Sequence, residues 1–212
     1  MVRTLAIGIS AVMHPLLITL YLFALLFFYA PTIVQPLPSE AANQVLVALG
    51  ITTFVLPMIS IGALRLKVLQ TAGLPGMLAL PTRQERVLPF FFAGLFYLIT
   101  TYLFLVKLQV NLVLVIILAA ATLLILTVSA MSLVSKISAH ATGGGALVGF
   151  LVGLSWRYPG NFFIVPLLVS MLLAGGVMSA RLYLDLHSAK EVWLGAGIGF
   201  GMSLLSMLWF AG

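Results

Sequence analysis

His187 and Glu191 stand four residues apart at the start of the last apolar segment. On a helix they share one face. The carboxylate then accepts a hydrogen bond from one imidazole nitrogen, fixes the tautomer and leaves the other nitrogen able to attack. Arg181, six residues upstream, brings a guanidinium that grips phosphate oxygens two at a time and does not deprotonate. Lys136 and His140 are also four apart, with Ser138 between them. A histidine beside a cation can protonate a leaving oxygen and hold charge that develops on phosphorus.

The rest of the composition removes competing chemistries. The chain has no cysteine, which excludes disulfide frameworks, zinc ribbons and thiol nucleophiles. Its four acidic residues, Glu40, Glu85, Asp185 and Glu191, are too few and too scattered for a two-metal carboxylate site. No phosphate-binding G-x-x-x-x-G-K-[ST] run occurs. A net charge of +6 without a basic stripe interleaved with aromatics argues against nucleic acid. That charge suits anionic headgroups or phosphate.

The elements that must position these residues are set by a chain that is 63% hydrophobic and 7% charged over 212 residues. Globular chains carry about 25% charged residues, so an all-α, polytopic membrane bundle is expected. A crossing takes ~20 apolar residues. Spans are expected over 5–30 and 44–64, then as folded-back pairs within 87–134 and 141–180, with turns at 107–111 and 157–161, and finally over 192–210. That makes seven, with six left open. The segment 65–86, interrupted by Gly73, Pro75, Gly76 and Pro81, reads as interfacial. The whole chain reads as one membrane domain, with 1–64 an N-terminal helix pair and 65–212 the core that carries the site. The late glycines, 143–145, Gly175, Gly176, Gly195, Gly197, Gly199 and Gly201, suit close helix approach.

Parity gathers the polar residues. The junctions at 65–86, 135–140 and 181–191 are separated by two spans each, so all three emerge on one membrane face. They hold Arg83, Arg86, Lys136, Ser138, His140, Arg181, Asp185, His187, Lys190 and Glu191. Loop ends and the bias of cations to one side give a topological reading of the same pattern, and a shared site gives a functional one.

The run from Arg181 through His187 to Glu191 resembles the third signature, S-R-x5-H-x3-D, of the type 2 phosphatidic acid phosphatase superfamily. Ile137-Ser138-Ala139-His140 is similar to its second, P-S-G-H, and Arg83-Gln84-Glu85-Arg86 with Pro89 is the nearest match to its first, K-x6-R-P. Ala180, Ile137, Ala139 and Glu191 depart from the family pattern. The resemblance implies a metal-independent membrane phosphatase, without cofactor, acting on a lipid phosphate or pyrophosphate through a phosphohistidine. His187 would be the nucleophile, Glu191 its orienting acid and His140 the general acid. Arg181, Lys136, Ser138 and either Arg83 or Arg86 would hold phosphate. It also implies the bilayer as partner and a bacterial cytoplasmic membrane as location, and leaves the oligomeric state and the side of the membrane open. A non-catalytic binder of anionic lipid, or a small transporter, is the alternative; transport favours broken helices near the midplane.

Other polar residues fall outside this set. His14, ahead of Pro15 within the first span, reads as satisfying a neighbour or facing a cavity. Asp185 reads as a loop charge, Lys107 and Arg157 as interfacial anchors, and Tyr183, Trp156, Trp193 and Trp209 as belt aromatics.

Overall fold

A computed structural model describes residues 2–34, 39–64, 66, 83–159 and 163–210. Among these the chain is helical, with no strand. Helix α1 (Val2–Val12) leads through a 3-10 turn (Pro15–Leu17) into α2 (Ile18–Phe28). Helix α3 (Ser39–Gly50) continues through a π-helical turn (Ile51–Val55), so that Glu40–Leu64 reads as one span. Then come α4 (Arg83–Tyr102), α5 (Leu112–Met131), α6 (Ala139–Arg157), α7 (Ile164–Tyr183) and α8 (Ala189–Phe210). The expected interfacial segment 65–86 falls largely outside the described residues.

Five described helices are long and apolar enough to cross a membrane, and six if α1 and α2, bent by 40° at their break, count as one span. The seventh expected crossing is α6, a 19-residue helix outside that set. Its glycines and polar first turn lower its hydropathy, yet residues 141–147 are buried without interruption. It is the helix the others enclose. The outer surface is apolar: Leu172, Val134 and Leu133 are well exposed, as a surface facing lipid requires and an aqueous one penalises.

Two parallel helices form the centre. A methyl group at Gly145 or Gly149 of α6 would overlap the backbone carbonyl oxygen of Ala196 or Phe200 on α8. One at Gly199 would overlap that of Thr142 on α6. Spaced four apart, these glycines form facing small-residue stripes, the device by which membrane helices pack backbone to backbone. Because α6 and α8 run in register, their N-termini emerge together, and the Ser138 amide donates to the Glu191 carbonyl oxygen at 3.3 Å.

The break after α1 follows from Pro15, whose ring blocks the helical hydrogen bond and is at home in the first turn of the next helical piece. The backbone opened there finds a partner from a distant helix. The Tyr97 hydroxyl of α4, fully buried, donates to the Leu16 carbonyl at 2.9 Å and lies 2.9 Å from the Thr19 hydroxyl. Buried polar backbone requires such a partner.

Candidate active site

The link between α7 and α8 shapes the site first. Leu184 closes α7, and Asp185 takes a left-handed conformation, φ 51°. The Asp185 amide donates to the Leu182 carbonyl at 3.0 Å and the Leu186 amide to the Arg181 carbonyl at 3.2 Å. This paired 5→2 and 6→1 arrangement is a Schellman turn. It reverses the chain within a few residues, so His187 returns beside the Arg181 end of α7. Asp185 is thus the pivot of the turn as well as a loop charge.

Helix α8 then starts with a reciprocal cap. The Ser188 amide donates to Glu191 Oε2 at 3.1 Å and the Glu191 amide to Ser188 Oγ at 3.4 Å, a capping box. The same Oε2 lies 3.1 Å from His187 Nδ1, and the Lys136 carbonyl oxygen lies 3.1 Å from that nitrogen too. Both neighbours only accept hydrogen bonds. Nδ1 therefore carries the hydrogen, and Nε2 carries the lone pair. Burial lowers the His187 pKa from its ordinary 6.5. The hydrogen bond to Glu191 opposes that lowering, while Arg181 and Arg86 reinforce it.

A cavity of ≈ 300 Å³ opens beside this ring. Its chemistry-bearing walls are Arg86, His140, Arg181, His187 and His14, joined by Pro15 and Pro89. Arg86 comes from the first turn of α4, and His140 from the first turn of α6. Helix N-termini concentrate positive potential and unpaired amides, which favours anions. Arg181 adds a specific signal: its Nε is buried and has no hydrogen-bond partner among the described residues. An unmet buried donor costs about 1–3 kcal/mol, and an anionic oxygen would relieve it. Among the described residues, no group of three His, Asp or Glu side chains is placed to hold a metal ion.

The expected site residues therefore separate. His187, His140, Arg181 and Arg86 meet at one cavity, with Glu191 behind His187. Lys136 contributes a backbone carbonyl to His187, and its side chain does not line the cavity. Ser138 does not line the cavity. Fully buried, it caps α6, its Oγ accepting from the Ala141 amide at 3.4 Å and its carbonyl from the Thr142 amide at 2.9 Å. An N-cap serine is an ordinary helix-start choice, which is why the residue looked available in sequence. The Arg83 side chain lies outside the described residues.

The cavity also takes in more of the chain than the segment 65–212. His14, Pro15 and Leu16 from the break in the first span, and Ile61 from the second, line it. His14 was legible in principle, because an ionisable residue at membrane depth is a functional candidate by default.

No protein-family model, curated protein or solved structure matches the chain. The resemblance drawn above is carried by the motif residues alone.

Proposed function

We propose that the protein is a membrane phosphohydrolase of the type 2 phosphatidic acid phosphatase kind, removing phosphate from a lipid phosphate or pyrophosphate in a bacterial cytoplasmic membrane. The observation that carries this reading is the imidazole of His187. Two acceptors hold its Nδ1–H, which leaves the lone pair on Nε2, and the ring lines a cavity walled also by His140, Arg181 and Arg86.

The chemistry that suits this geometry has two steps. The Nε2 lone pair of His187 attacks phosphorus while the bond from phosphorus to the leaving oxygen breaks. Protonated His140 gives its proton to that oxygen; a bound phosphate anion favours the charged imidazole. Arg181 and Arg86 hold the equatorial oxygens as charge shifts among them. In the second step neutral His140 takes a proton from water, whose oxygen attacks the phosphohistidine. Inorganic phosphate leaves and His187 Nε2 recovers its lone pair. Glu191 holds the ring through both steps.

The location of the cavity favours a lipid substrate, with the headgroup at helix ends and the chains beside apolar helices. The test is phosphate release by purified protein from a panel of lipid phosphates in EDTA, alongside His187→Ala. Release that survives EDTA and vanishes in the variant supports the reading. Release that persists in His187→Ala overturns the histidine mechanism.

One observation favours a second reading. The first span is broken where it borders the cavity, as the helices of transport sites often are. Uptake of phosphate or a phosphorylated solute into proteoliposomes, without hydrolysis, would select it.

A further inference from the structure

The break at His14 and Pro15 has a second side. His14 occupies the N-cap of the 3-10 turn, in an extended conformation, and its Nδ1 accepts the Leu16 amide at 3.4 Å. That bond fixes its tautomer: Nδ1 is the acceptor, so the neutral ring carries its hydrogen on Nε2. Its orientation is then the inverse of that of His187. One ring keeps a lone pair for attack, and the other keeps a hydrogen to donate.

Packing holds the His14 ring at the cavity. It stands edge-to-face with Phe54 at 5.7 Å between centroids and with His140 at 5.6 Å. The break itself sits tightly on α6: a methyl group at Gly143 would lie 3.1 Å from the Pro15 Cα. Phe54 belongs to the π-helical turn of the second span, and such turns recur at functional sites. Two distortions of regular helix thus place one imidazole against the wall shared by Arg86, His140, Arg181 and His187.

Capping alone does not account for this residue. Serine, asparagine and aspartate cap better than histidine and bury less. What histidine adds is a donor on the far side of the ring, one that reaches where a short capping side chain cannot.

We infer that His14 is a further phosphate-binding residue of this cavity, giving its Nε2–H to an oxygen of the bound phosphoryl group. The inference rests on the proposal that the cavity takes phosphate, but not on whether the phosphate is hydrolysed. His14 would work beside Arg181 Nε, a buried donor without a partner among the described residues. It would bind an oxygen that is not the leaving oxygen, which falls to His140.

The experiment is a titration of the purified full chain with inorganic phosphate in EDTA, comparing wild type with His14→Asn. Asparagine retains an acceptor for the Leu16 amide and loses the distal donor. Phosphate affinity is expected to fall about tenfold or more, as loss of one hydrogen bond to a charged group implies. Affinity within twofold of wild type would make His14 a cap and overturn the inference. If His14→Asn does not fold, a nitrogen–phosphorus dipolar contact between labelled His14 Nε2 and bound phosphate is expected in wild type, and its absence overturns the inference equally. A short-chain alkyl phosphate, titrated in parallel, identifies the source of the ligand. Tighter binding than inorganic phosphate indicates a lipid headgroup, equal binding a free phosphate, and the deficit of His14→Asn is expected in both. Wild type that binds neither probe overturns this inference together with the hydrolase reading. Binding through His14 without release from any lipid phosphate supports the inference and overturns hydrolysis alone.

Discussion

One carboxylate oxygen of Glu191 stands 3.1 Å from His187 Nδ1 and 3.1 Å from the Ser188 backbone nitrogen. The group that orients the proposed nucleophile also caps the helix that follows it. Motif likeness alone, in which aspartate is usual at this place, would have Glu191→Asp preserve or raise activity. The shared oxygen argues the reverse, since a side chain one methylene shorter cannot keep both contacts. Glu191→Asp is expected to lower phosphate release and to lower the thermal midpoint by the loss of a cap, about 1 kcal/mol. Glu191→Gln keeps the length of a capping box but not the charge. It should melt close to wild type while releasing phosphate at least about tenfold more slowly. Parallel melting curves and rate measurements separate the two roles.

The depressed pKa of His187 fixes the direction of two pH effects. Burial favours the neutral ring in the folded state relative to its ordinary 6.5. The proposed nucleophile therefore keeps its lone pair to lower pH than an ordinary histidine does, and the acid limb of the phosphate-release profile should be shifted toward acid. For stability the unfolded chain binds the proton more readily than the folded one. The contribution of His187 is thus fully present above about pH 6.5 and is lost as pH falls from there through the lowered folded value. Thermal midpoints measured across that window should drop toward acid in wild type and drop less in His187→Phe, which has no proton to gain.

Most of the fold was legible because the apolar pattern is long and the punctuation plain. Asn111 ends the 107–111 turn and caps α5 by accepting the Val113 amide at 2.9 Å. The junctions that parity placed on one face do meet, since the Ser138 amide reaches the Glu191 carbonyl. What spacing could not show was which atoms of a residue are spent. Ser138 and Lys136 sit at the right positions, but the hydroxyl of one caps α6 and the carbonyl of the other holds His187. Nor could spacing bring in His14, which is remote from the other site residues in sequence and joins them only because Pro15 breaks the first span against Gly143. The α6–α8 glycine stripes were visible as composition, whereas their facing register is a tertiary fact.

His140 should reveal its role through the leaving group. If it protonates the departing oxygen, His140→Ala loses roughly 10²–10⁴-fold on alkyl phosphates. The loss should shrink on an activated aryl phosphate, whose leaving oxygen needs no proton. A variant equally impaired on both substrates would place His140 in binding instead. The comparison uses one protein preparation and two substrates, so a folding defect cannot imitate the expected pattern.

Asp185 supplies a test that leaves the chemistry untouched. Its side chain is exposed and does not line the cavity, but its φ of 51° closes the Schellman turn that returns His187 to Arg181. Glycine adopts that conformation without steric penalty, while a β-branched residue meets its worst one. Asp185→Gly should retain stability and phosphate release. Asp185→Val should cost about 1–3 kcal/mol of strain and slow release as His187 shifts. If both variants behave alike, the turn does not position the site.

The α6–α8 contact carries the strongest stability prediction, because nothing there can yield except the helices. The carbonyl oxygens facing Gly145 and Gly199 are backbone atoms of Ala196 and Thr142, and unlike a side chain they have no alternative rotamer. A methyl group at either position must separate the two helices, and the overpacking costs about 1–3 kcal/mol or more. Separation also pulls at the end that matters, where the Lys136 carbonyl from the α6 side holds His187 from the α8 side. Gly199→Ala is therefore expected to lower the thermal midpoint and to lower phosphate release in the protein that remains folded. Gly197→Ala is the internal control, since a methyl group there meets no atom within 4 Å. It should melt and turn over like wild type. Thermal unfolding of the pair in detergent, followed by phosphate release below both midpoints, checks the prediction. Equal behaviour of the two variants would mean that the helices are not held at backbone contact.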